Sequence, residues 1–507
     1  MNDNLLEFYK EYCFSGIYSS KVPHSFGVGG KIAGALYAVG EIEDAIPIIH
    51  GPAGCGFHYR HNARRRYLPV YKAQCTGLEE KDIIFGGAEK LRRTVLDIVE
   101  RDHPALIVII PTTATDMIHD EMNSVVKELR PQISSRLIAI ESEVFSHVDK
   151  NTKSNNFEQW VKNWNKFDQK QEHIEEFKGC GFGEAMGALV EQVMEKQVVI
   201  KRSINIEGFA WGIGGDVMLD GMTDLLKEIG IQVHSRLPNC TTKTIVEAPK
   251  AELNLIRRVR WAKKMKSIFG TDYLHVASPN SYHGLDGIER FHLNLAKRFS
   301  LQKEASEVLS RHKDDTFRKL QPVQDFLGRY RFALCSRSFG NIPLLVEMYE
   351  KDYGLPLSYV CVDMDEQRLA FEGKMSTNTR NLVIQNMYDA LSRIGSKAQL
   401  LINPTEVELK EILREVDYVL DGKELMSRVE GVQAVPDMHL FTSLDFDTFR
   451  KIAINLAEKI KKTSSRSDLL INKFNYSSLS YPMLEKQDIT SSHTLWRKMW
   501  ALRGVGS

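Results

Sequence analysis

The chain has 507 residues, which at about 100–200 residues per domain predicts roughly three domains with ample core. Its 67 Lys and Arg residues balance 66 Asp and Glu residues, so no broad positive field is available for nucleic acid. A hydrophobic fraction of 43% excludes disorder as the main state. No apolar run approaches the ~18 residues that cross a membrane, and the first residues lack the pattern of a secretion signal. We therefore expect a folded, cytoplasmic protein with no nucleic-acid or membrane partner.

The hydrophobic pattern of the first 150 residues alternates strands and helices. A continuous apolar run at residues 105–110 predicts a strand covered on both faces, because a strand with one solvated face would alternate polar and apolar residues. Helices are predicted on either side of it, at residues 88–101 and 117–129, and a further strand at 136–140. This order is typical of α/β layers around a parallel sheet.

The same rhythm continues to about residue 462. The elements predicted in the second unit are, in order, a helix that ends at Gly230, a strand at 231–233, a helix at 251–269 and a strand at 273–276. A charged helix at about 301–326 leads to the third unit. The strands predicted there are at residues 332–335, 359–362, 399–402 and 418–420, with a closing helix at 449–462.

We therefore predict an α/β protein of three Rossmann-like domains with mostly parallel sheets. The predicted domains are residues 1–197, 198–327 and 328–464, followed by an extended C-terminal tail at 465–507. Trp496 and Trp500 in this polar tail predict a segment that docks on another surface. Clefts at the sheet edges are natural ligand sites, but the architecture alone names no reaction.

Seven cysteines are scattered over the chain. An odd and dispersed set argues against the disulfide framework of a small secreted domain. In a reducing compartment each cysteine is either a small core residue or a metal ligand. For Cys240, Cys335 and Cys361, which stand in strand or strand-end contexts, we predict core packing.

Cys55 and Cys75 stand in glycine-containing turns. Cys55 closes the sequence His-Gly-Pro-Ala-Gly-Cys at residues 50–55, directly after an apolar run, and Cys75 precedes Leu-Glu-Glu-Lys-Asp-Ile-Ile-Phe-Gly-Gly at 78–87. Glycines let the backbone approach a bulky ligand, and N–H groups in turns can donate to thiolate or sulfide. The residues alone leave two alternatives open, since both cysteines could be core residues or ligands of zinc.

These two segments resemble the nitrogenase component 1 family. That family includes the two subunits of the molybdenum–iron protein, its cofactor-assembly scaffolds, dark protochlorophyllide reductase and other nitrogenase-like reductases. The resemblance covers most of the chain, although only the segments near Cys55 and Cys75 are specific. The run Glu-Ser-Glu-Val-Phe-Ser-His-Val at 141–148 is more similar to β-type than to α-type subunits.

The resemblance implies that Cys55 and Cys75 are thiolate ligands of an iron–sulfur cluster, 4Fe–4S or larger. This cluster would be shared with a homologous α-type subunit, in a heterotetramer or a homodimer. The resemblance also implies that Gly54, Gly56 and Ser142 bind the cluster.

Two departures from the family pattern matter. The family commonly has a third cysteine after the strand at 105–110, where this chain reads Pro-Thr-Thr-Ala-Thr-Asp at 111–116. A ligand from the partner, Asp116, Cys13 or a smaller cluster would account for its absence. The α-type cofactor cysteine is also missing, because the run Leu-Asn-Leu-Ile at 253–256 continues into Arg257 and Arg258.

The function implied is that of a subunit of a nitrogenase-like two-component reductase. Electrons would come from a separate ATP-dependent iron–sulfur reductase, because this chain has no phosphate-binding loop of its own. Gly86 and Gly87 either start a helix or lie near the face on which that reductase docks. The alternative from another class is a non-catalytic scaffold that carries a cofactor precursor, and a third is a metal-free enzyme on Rossmann-like domains.

Overall fold

The computed structural model describes residues 31–57, 73–140, 181–208, 215–256, 258–276, 282–336, 342–362, 377–420, 434–435 and 444–462. Within these ranges the strands form three sheets, and every strand pairing is parallel. Each sheet belongs to one stretch of the chain, and helices cover it. The predicted α/β class is therefore confirmed.

The first sheet has the order β2-β1-β3-β4. Its strands are β1 (Ala45–His50), β2 (Gln74–Cys75), β3 (Leu106–Pro111) and β4 (Arg136–Ala139). All six residues of β3 are buried, as its unbroken apolar sequence predicts. The helices of this unit are α1 (Lys31–Gly40), α2 (Glu80–Phe85), α3 (Ala88–Asp102), α4 (Thr113–Met117), α5 (Met122–Leu129) and α6 (Gly181–Gln192).

The second sheet has the order β6-β5-β7-β8. Its strands are β5 (Ile200–Glu207), β6 (Gln232–Leu237), β7 (Ala251–Ile256) and β8 (Asp272–His275). The helices are α7 (Gly215–Ile229), α8 (Thr242–Val246), α9 (Val259–Phe269), α10 (Gly284–Lys297) and α11 (Gln302–Leu327), with a 3₁₀ turn at Ala248–Lys250.

The third sheet has five strands in the order β11-β10-β9-β12-β13. They are β9 (Phe332–Ser336), β10 (Leu357–Val362), β11 (Gln399–Ile402), β12 (Tyr418–Leu420) and β13 (Ala434–Val435). The helices are α12 (Ile342–Glu347), which a π-helical turn at Met348–Asp352 extends, α13 (Thr377–Arg393), α14 (Glu406–Glu415) and α15 (Phe446–Lys462).

The predicted helix at 251–269 is wrong in its first part. Residues 251–256 form strand β7 and only Val259–Phe269 is helical. The reason is that the periodicity of a short apolar run does not distinguish a buried strand from a buried helix segment. Here the strand is held in the sheet by a buried amide pair, because Asn205 Nδ2 donates to Asn254 Oδ1 at 2.8 Å across β5 and β7.

The predicted helix at 117–129 is also divided. Helix α4 ends at Met117 and α5 begins at Met122, and His119 between them has a left-handed backbone conformation with φ of 51°. This break brings Asp120 back toward the end of β1, which matters for the site described below.

Buried residues join the first and second units. One hydrophobic cluster contains Ala45 of the first unit together with Phe182 and Trp261. At the same junction Asp44 Oδ1 accepts hydrogen bonds at 2.7 Å from the backbone and the hydroxyl of Thr242. Cys240, Cys335 and Cys361 are buried, as predicted. The domain boundaries remain a prediction, and the tail lies outside the described residues.

No helix in the described part of the chain has the length and hydropathy to span a bilayer.

Candidate metal centre

The two predicted cysteine ligands meet at the carboxyl edge of the first sheet. Cys75 ends β2 in register with Ile49, and Cys55 lies five residues beyond β1 in a helical stretch at 53–57. Both residues bond to one carbonyl group, that of Pro52. The Cys55 N–H donates to it at 3.0 Å and the Cys75 Sγ lies 3.6 Å from it. Parallel strands β1 and β2 therefore bring together residues that are 20 positions apart in sequence.

Both thiols are half-buried, and neither is in a disulfide. Burial raises the pKa of the Cys55 thiol, and the nearby charge that Cys75 would carry raises it further. Two thiolates this close repel each other without a cation between them. A bound metal removes this penalty, because it replaces both protons with positive charge.

The glycines of the Cys55 turn differ in their surroundings. A side chain at Gly51 would stand 2.3 Å from Thr112 Oγ1, so the backbone there packs directly on the end of β3. A Cβ at Gly54 would meet no atom of the described residues within 4 Å, which leaves space on that side of the turn. Gly56 is buried. Ser142 lies outside the described residues.

The donor set fits one part of a cluster site. Two thiolates supply half of the four ligands that a cubane iron–sulfur cluster takes. Among the residues that the structure describes, no group of three His, Cys, Asp or Glu side chains is placed to hold a metal. Asp116 therefore does not complete the site with Cys55 and Cys75, and Cys13 lies outside the described residues. The residues present fit a cluster whose remaining ligands lie outside the described residues or on another chain.

Beneath the two cysteine turns lies a buried polar network centred on His50. Its Nδ1 is 3.2 Å from Thr76 Oγ1 and its Nε2 is 2.9 Å from Asp120 Oδ2. The Thr76 hydroxyl also accepts the Gly51 N–H at 3.0 Å, so it joins the turn after β1 to the turn after β2. The network fixes the backbone on which both cysteines stand.

Asp120 gave no signal in the sequence, because an acidic residue between two helices usually has a local capping role. Burial favours its neutral form, but the hydrogen bond and charge of His50, with the N–H groups of Gly87 and Glu121, hold its pKa below the ordinary value. A side chain at Gly87 would stand 2.4 Å from Asp120 Oδ2. Only a glycine at position 87 leaves room for the Asp120 carboxylate. The same residue is the N-cap of α3.

Around the cysteines the edge of the sheet carries exposed apolar side chains. None of the residues of α2 is buried, and its last two, Ile84 and Phe85, are 73% and 87% exposed. Phe57 and Met117 are exposed as well, on the elements that follow β1 and β3. Apolar surface of this kind on one side of a protein is typical of an interface with another protein.

The position after β7 carries an ion pair. Arg258 Nη1 lies 2.7 Å from the buried Glu207 Oε1, and the Arg258 backbone N–H donates to Glu207 Oε2 at 3.1 Å. The guanidinium also lies 3.9 Å from the centre of the Phe182 ring. The first described residue after β7 is therefore an arginine paired with its own carboxylate, in the segment where the family resemblance would lead one to expect a cysteine.

Comparisons with known proteins agree with one another. Residues 31–416 match the family model described as nitrogenase component 1 type oxidoreductase. A nitrogenase iron-molybdenum cofactor biosynthesis protein NifE from Clostridium pasteurianum is 27% identical over 52% of each chain. The NifE protein of Methanococcus maripaludis is 23% identical over 77% of this chain and 73% of its own length.

A nitrogenase molybdenum-iron protein alpha chain from Methanosarcina barkeri is 24% identical over 61% of this chain and 56% of that protein. The match thus spans only about half the length of several of these relatives. The solved structure of nitrogenase Cp1 at pH 6.5 shares the fold, with a TM-score of 0.53 over 86% of this chain and 89% of that one, at 20% identity. Because the family model matches well over half of its residues, the chain belongs to the nitrogenase component 1 type oxidoreductase family.

Proposed function

We propose that this chain is the cluster-binding subunit of a nitrogenase-like two-component reductase. The observation that carries the proposal is the convergence of Cys55 and Cys75 on the Pro52 carbonyl, at a sheet edge lined with exposed apolar side chains. A pair of thiols in this setting suits a metal group that lies between two proteins.

A shared cluster accounts for the number of ligands. The described part of the chain offers two thiols at this edge and no third ligand grouped with them. A homologous α-type subunit that packs against the same edge would supply the remaining ligands. It would also cover Phe57 and Met117, and the burial of this apolar surface would drive association.

An iron–sulfur cluster held here supplies one-electron transfer at low potential. The residues of this chain hold and surround it. The thiolates of Cys55 and Cys75 fix its place, and the backbone around Gly54 leaves room for it. Thr76 and His50 hold the two turns at a constant distance. Once a partner covers the apolar side chains at this edge, they would exclude water and lower the cost of reorganising solvent when charge moves.

The electrons would come from an ATP-dependent iron–sulfur reductase that docks on the same edge. Helix α2 is suited to this contact because it ends in the exposed Ile84 and Phe85. A capping box of Glu79 and Asp82 holds the helix in place without burying it, and Lys90 lies 3.0 Å from Asp82. The ATP site belongs to the reductase, because this sequence has no Walker A loop.

A second candidate function is that of a scaffold in cofactor assembly. Two observations favour it. Several of the relatives are named as iron-molybdenum cofactor biosynthesis proteins. The segment after β7 also carries Arg258 paired with Glu207, and not the cysteine that the resemblance to α-type subunits leads one to expect. In this role the chain would bind a cluster and pass on a cofactor precursor without reducing a substrate repeatedly.

The decisive experiment for cluster binding is an assay of iron and acid-labile sulfide after anaerobic purification, with electron paramagnetic resonance. We expect the wild-type chain with its partner to hold iron, and Cys55→Ala and Cys75→Ala to lose most of it and to weaken subunit association. Cys335→Ala is the matched control, because it removes a buried thiol from another sheet. Equal iron retention in all three variants would count against the assignment.

Turnover separates the two candidate roles. The iron-loaded complex is supplied with reductase, ATP, an artificial electron donor and, in separate assays, one electron acceptor (dinitrogen or a tetrapyrrole). The oxidised donor and the reduced acceptor are measured over time. A reductase subunit sustains many turnovers per complex, whereas a scaffold stops after the electrons that its own clusters can store.

A further inference from the structure

A second pair of cysteines lies in the third sheet, away from the candidate metal centre. Cys335 of β9 and Cys361 of β10 are directly paired in the parallel register of these two strands. Each is the second-last residue of its strand, so both stand close to the carboxyl edge.

The two side chains lie on the same face of the sheet. Both belong to one small hydrophobic cluster with Ala333 and Val419, whereas the alternate residues Leu334 and Val360 pack in the large core on the other face. Cys335 is 1% exposed and Cys361 is 2% exposed. Leu409 and Val416, from α14 and its C-cap, complete the enclosure.

The register places the two residues within reach of a covalent bond. Neighbouring strands lie ~4.8 Å apart, and a disulfide requires a Cα–Cα distance of about 4.4–6.8 Å with both Cβ atoms on one side. A pair in direct register on one face meets both conditions, and a small approach of the two Cβ atoms, from the ~4.8 Å strand spacing to the ~3.5–4.5 Å of a disulfide, would close the bond.

The surroundings favour a disulfide over a metal complex. A metal bound by two thiolates carries excess negative charge, which is costly among the apolar neighbours of this cluster. No third ligating side chain is grouped with the pair within the described ranges. A disulfide is neutral and apolar, so it fits the same space at no electrostatic cost.

We propose that Cys335 and Cys361 form an oxidation site that is converted to a disulfide between β9 and β10 by hydrogen peroxide. Two S–H bonds break and one S–S bond forms, while two protons and two electrons pass to the peroxide, whose O–O bond breaks to give two waters. The disulfide links the central strand of the third sheet to its neighbour and closes a covalent loop from residue 335 to residue 361.

The test uses the full-length chain, purified without oxygen and then treated with a graded series of hydrogen peroxide. After treatment the protein is unfolded, its remaining thiols are alkylated, and it is digested with trypsin. Peptides 332–337 and 352–368 each contain one cysteine. We expect them to appear as a linked pair that is two hydrogens lighter than their sum, together with a rise in Tm that a dithiol reductant reverses.

Two controls make the result specific. In Cys361→Ala the linked peptide disappears and Cys335 is recovered as an alkylated thiol. The wild-type chain oxidised in guanidinium gives the background of random pairing, which the native chain must exceed for this one pair. Recovery of Cys335 and Cys361 as separate thiols, at peroxide levels that oxidise Cys55 and Cys75, would overturn the proposal. Native pairing no greater than the random background would overturn it as well.

Discussion

The first and third sheets each carry two cysteines near the carboxyl edge, but the two pairs have opposite surroundings. Cys55 and Cys75 are half-buried beside exposed apolar side chains, while Cys335 and Cys361 are enclosed by aliphatic residues. Cys55 lies in the helical stretch after β1, and Cys75 is the last residue of the two-residue strand β2. Cys335 and Cys361 lie within longer strands. The same residue type on the same kind of sheet is therefore suited to an external metal group in one place and to internal packing or cross-linking in the other.

The largest effect is expected at the carboxyl edge of the first sheet, where the proposed partners would bind. Phe85→Asp places a charge at the most exposed apolar residue of α2, so binding of the reductase should weaken roughly thirtyfold or more, as at an interface hot spot. The measurement is reductase affinity by titration at constant salt. Val407→Asp in α14 is the matched control, because Val407 is 65% exposed on the third unit. Equal weakening by both variants would show that charge alone, and not this edge, is responsible.

The next largest effect is expected for Asp120, the buried acid at the edge of the first sheet. Asp120→Asn removes the charge that pairs with His50 and should lower the free energy of unfolding by about 2 kcal/mol at neutral pH. Because the pKa of Asp120 is lowered in the folded state, its charge stabilises the fold above the unfolded pKa, and this contribution is lost as pH falls through the folded value. The difference between wild type and variant should therefore shrink in acid. Denaturant titrations at pH 7 and pH 3 measure it, and a constant difference would contradict the lowered pKa of Asp120.

A buried acid in the third unit, Asp352, has a pKa shifted in the opposite direction from that of Asp120. Burial raises the pKa of Asp352 to about 7, and its Oδ2 accepts the Leu285 N–H at 2.9 Å. A raised acid pKa means that the folded chain binds more protons than the unfolded chain between about pH 4 and 7, so stability falls as pH rises through this window. Asp352→Asn should remove that decline and raise the free energy of unfolding at pH 8 by ~1–2 kcal/mol. The increase is limited because the new amide N–H group is itself costly to bury without a partner. A loss of stability of the variant at pH 8 would contradict the raised pKa of Asp352.

The smallest effect is expected inside the third sheet. Cys335→Ala removes one sulfur from a packed cluster and should cost about 1 kcal/mol of unfolding free energy with no change in iron content. Thermal unfolding and an iron assay on the same sample measure both quantities. A fall in iron would mean that the two cysteine pairs are not independent.

Sequence reasoning located the strands of the third sheet well. The predicted strands at 399–402 and 418–420 have the observed bounds, because β-branched and apolar residues there are flanked by clear helix signals. These bounds depend on local pattern. That Cys55 and Cys75 serve one site was implied only by the family resemblance, because the sequence places Cys55 after a strand-like run but gives no strand that ends at Cys75.

Other features depend on contacts between distant parts of the chain, and the pattern could not supply them. The pairing of His50 with Asp120 spans 70 positions, and the pairing of Cys335 with Cys361 depends on the register of two strands. The strand at Ala251–Ile256 was missed because its amide pair with β5 is invisible until the sheet is assembled. Ser142 and Cys13 remain predictions.

The hydrogen bonds of Asp120 have a consequence for docking. This one carboxylate holds the Gly87 N–H, directly after the exposed helix α2, and through His50 it holds Thr76, the neighbour of Cys75. The His50 and Asp120 side chains are 0% and 3% exposed, so breaking these bonds would leave buried polar groups without partners, at high cost. In the proposed complex, a reductase that pushes α2 inward would therefore also displace Cys75, and docking would change the surroundings of the cluster before any electron is transferred.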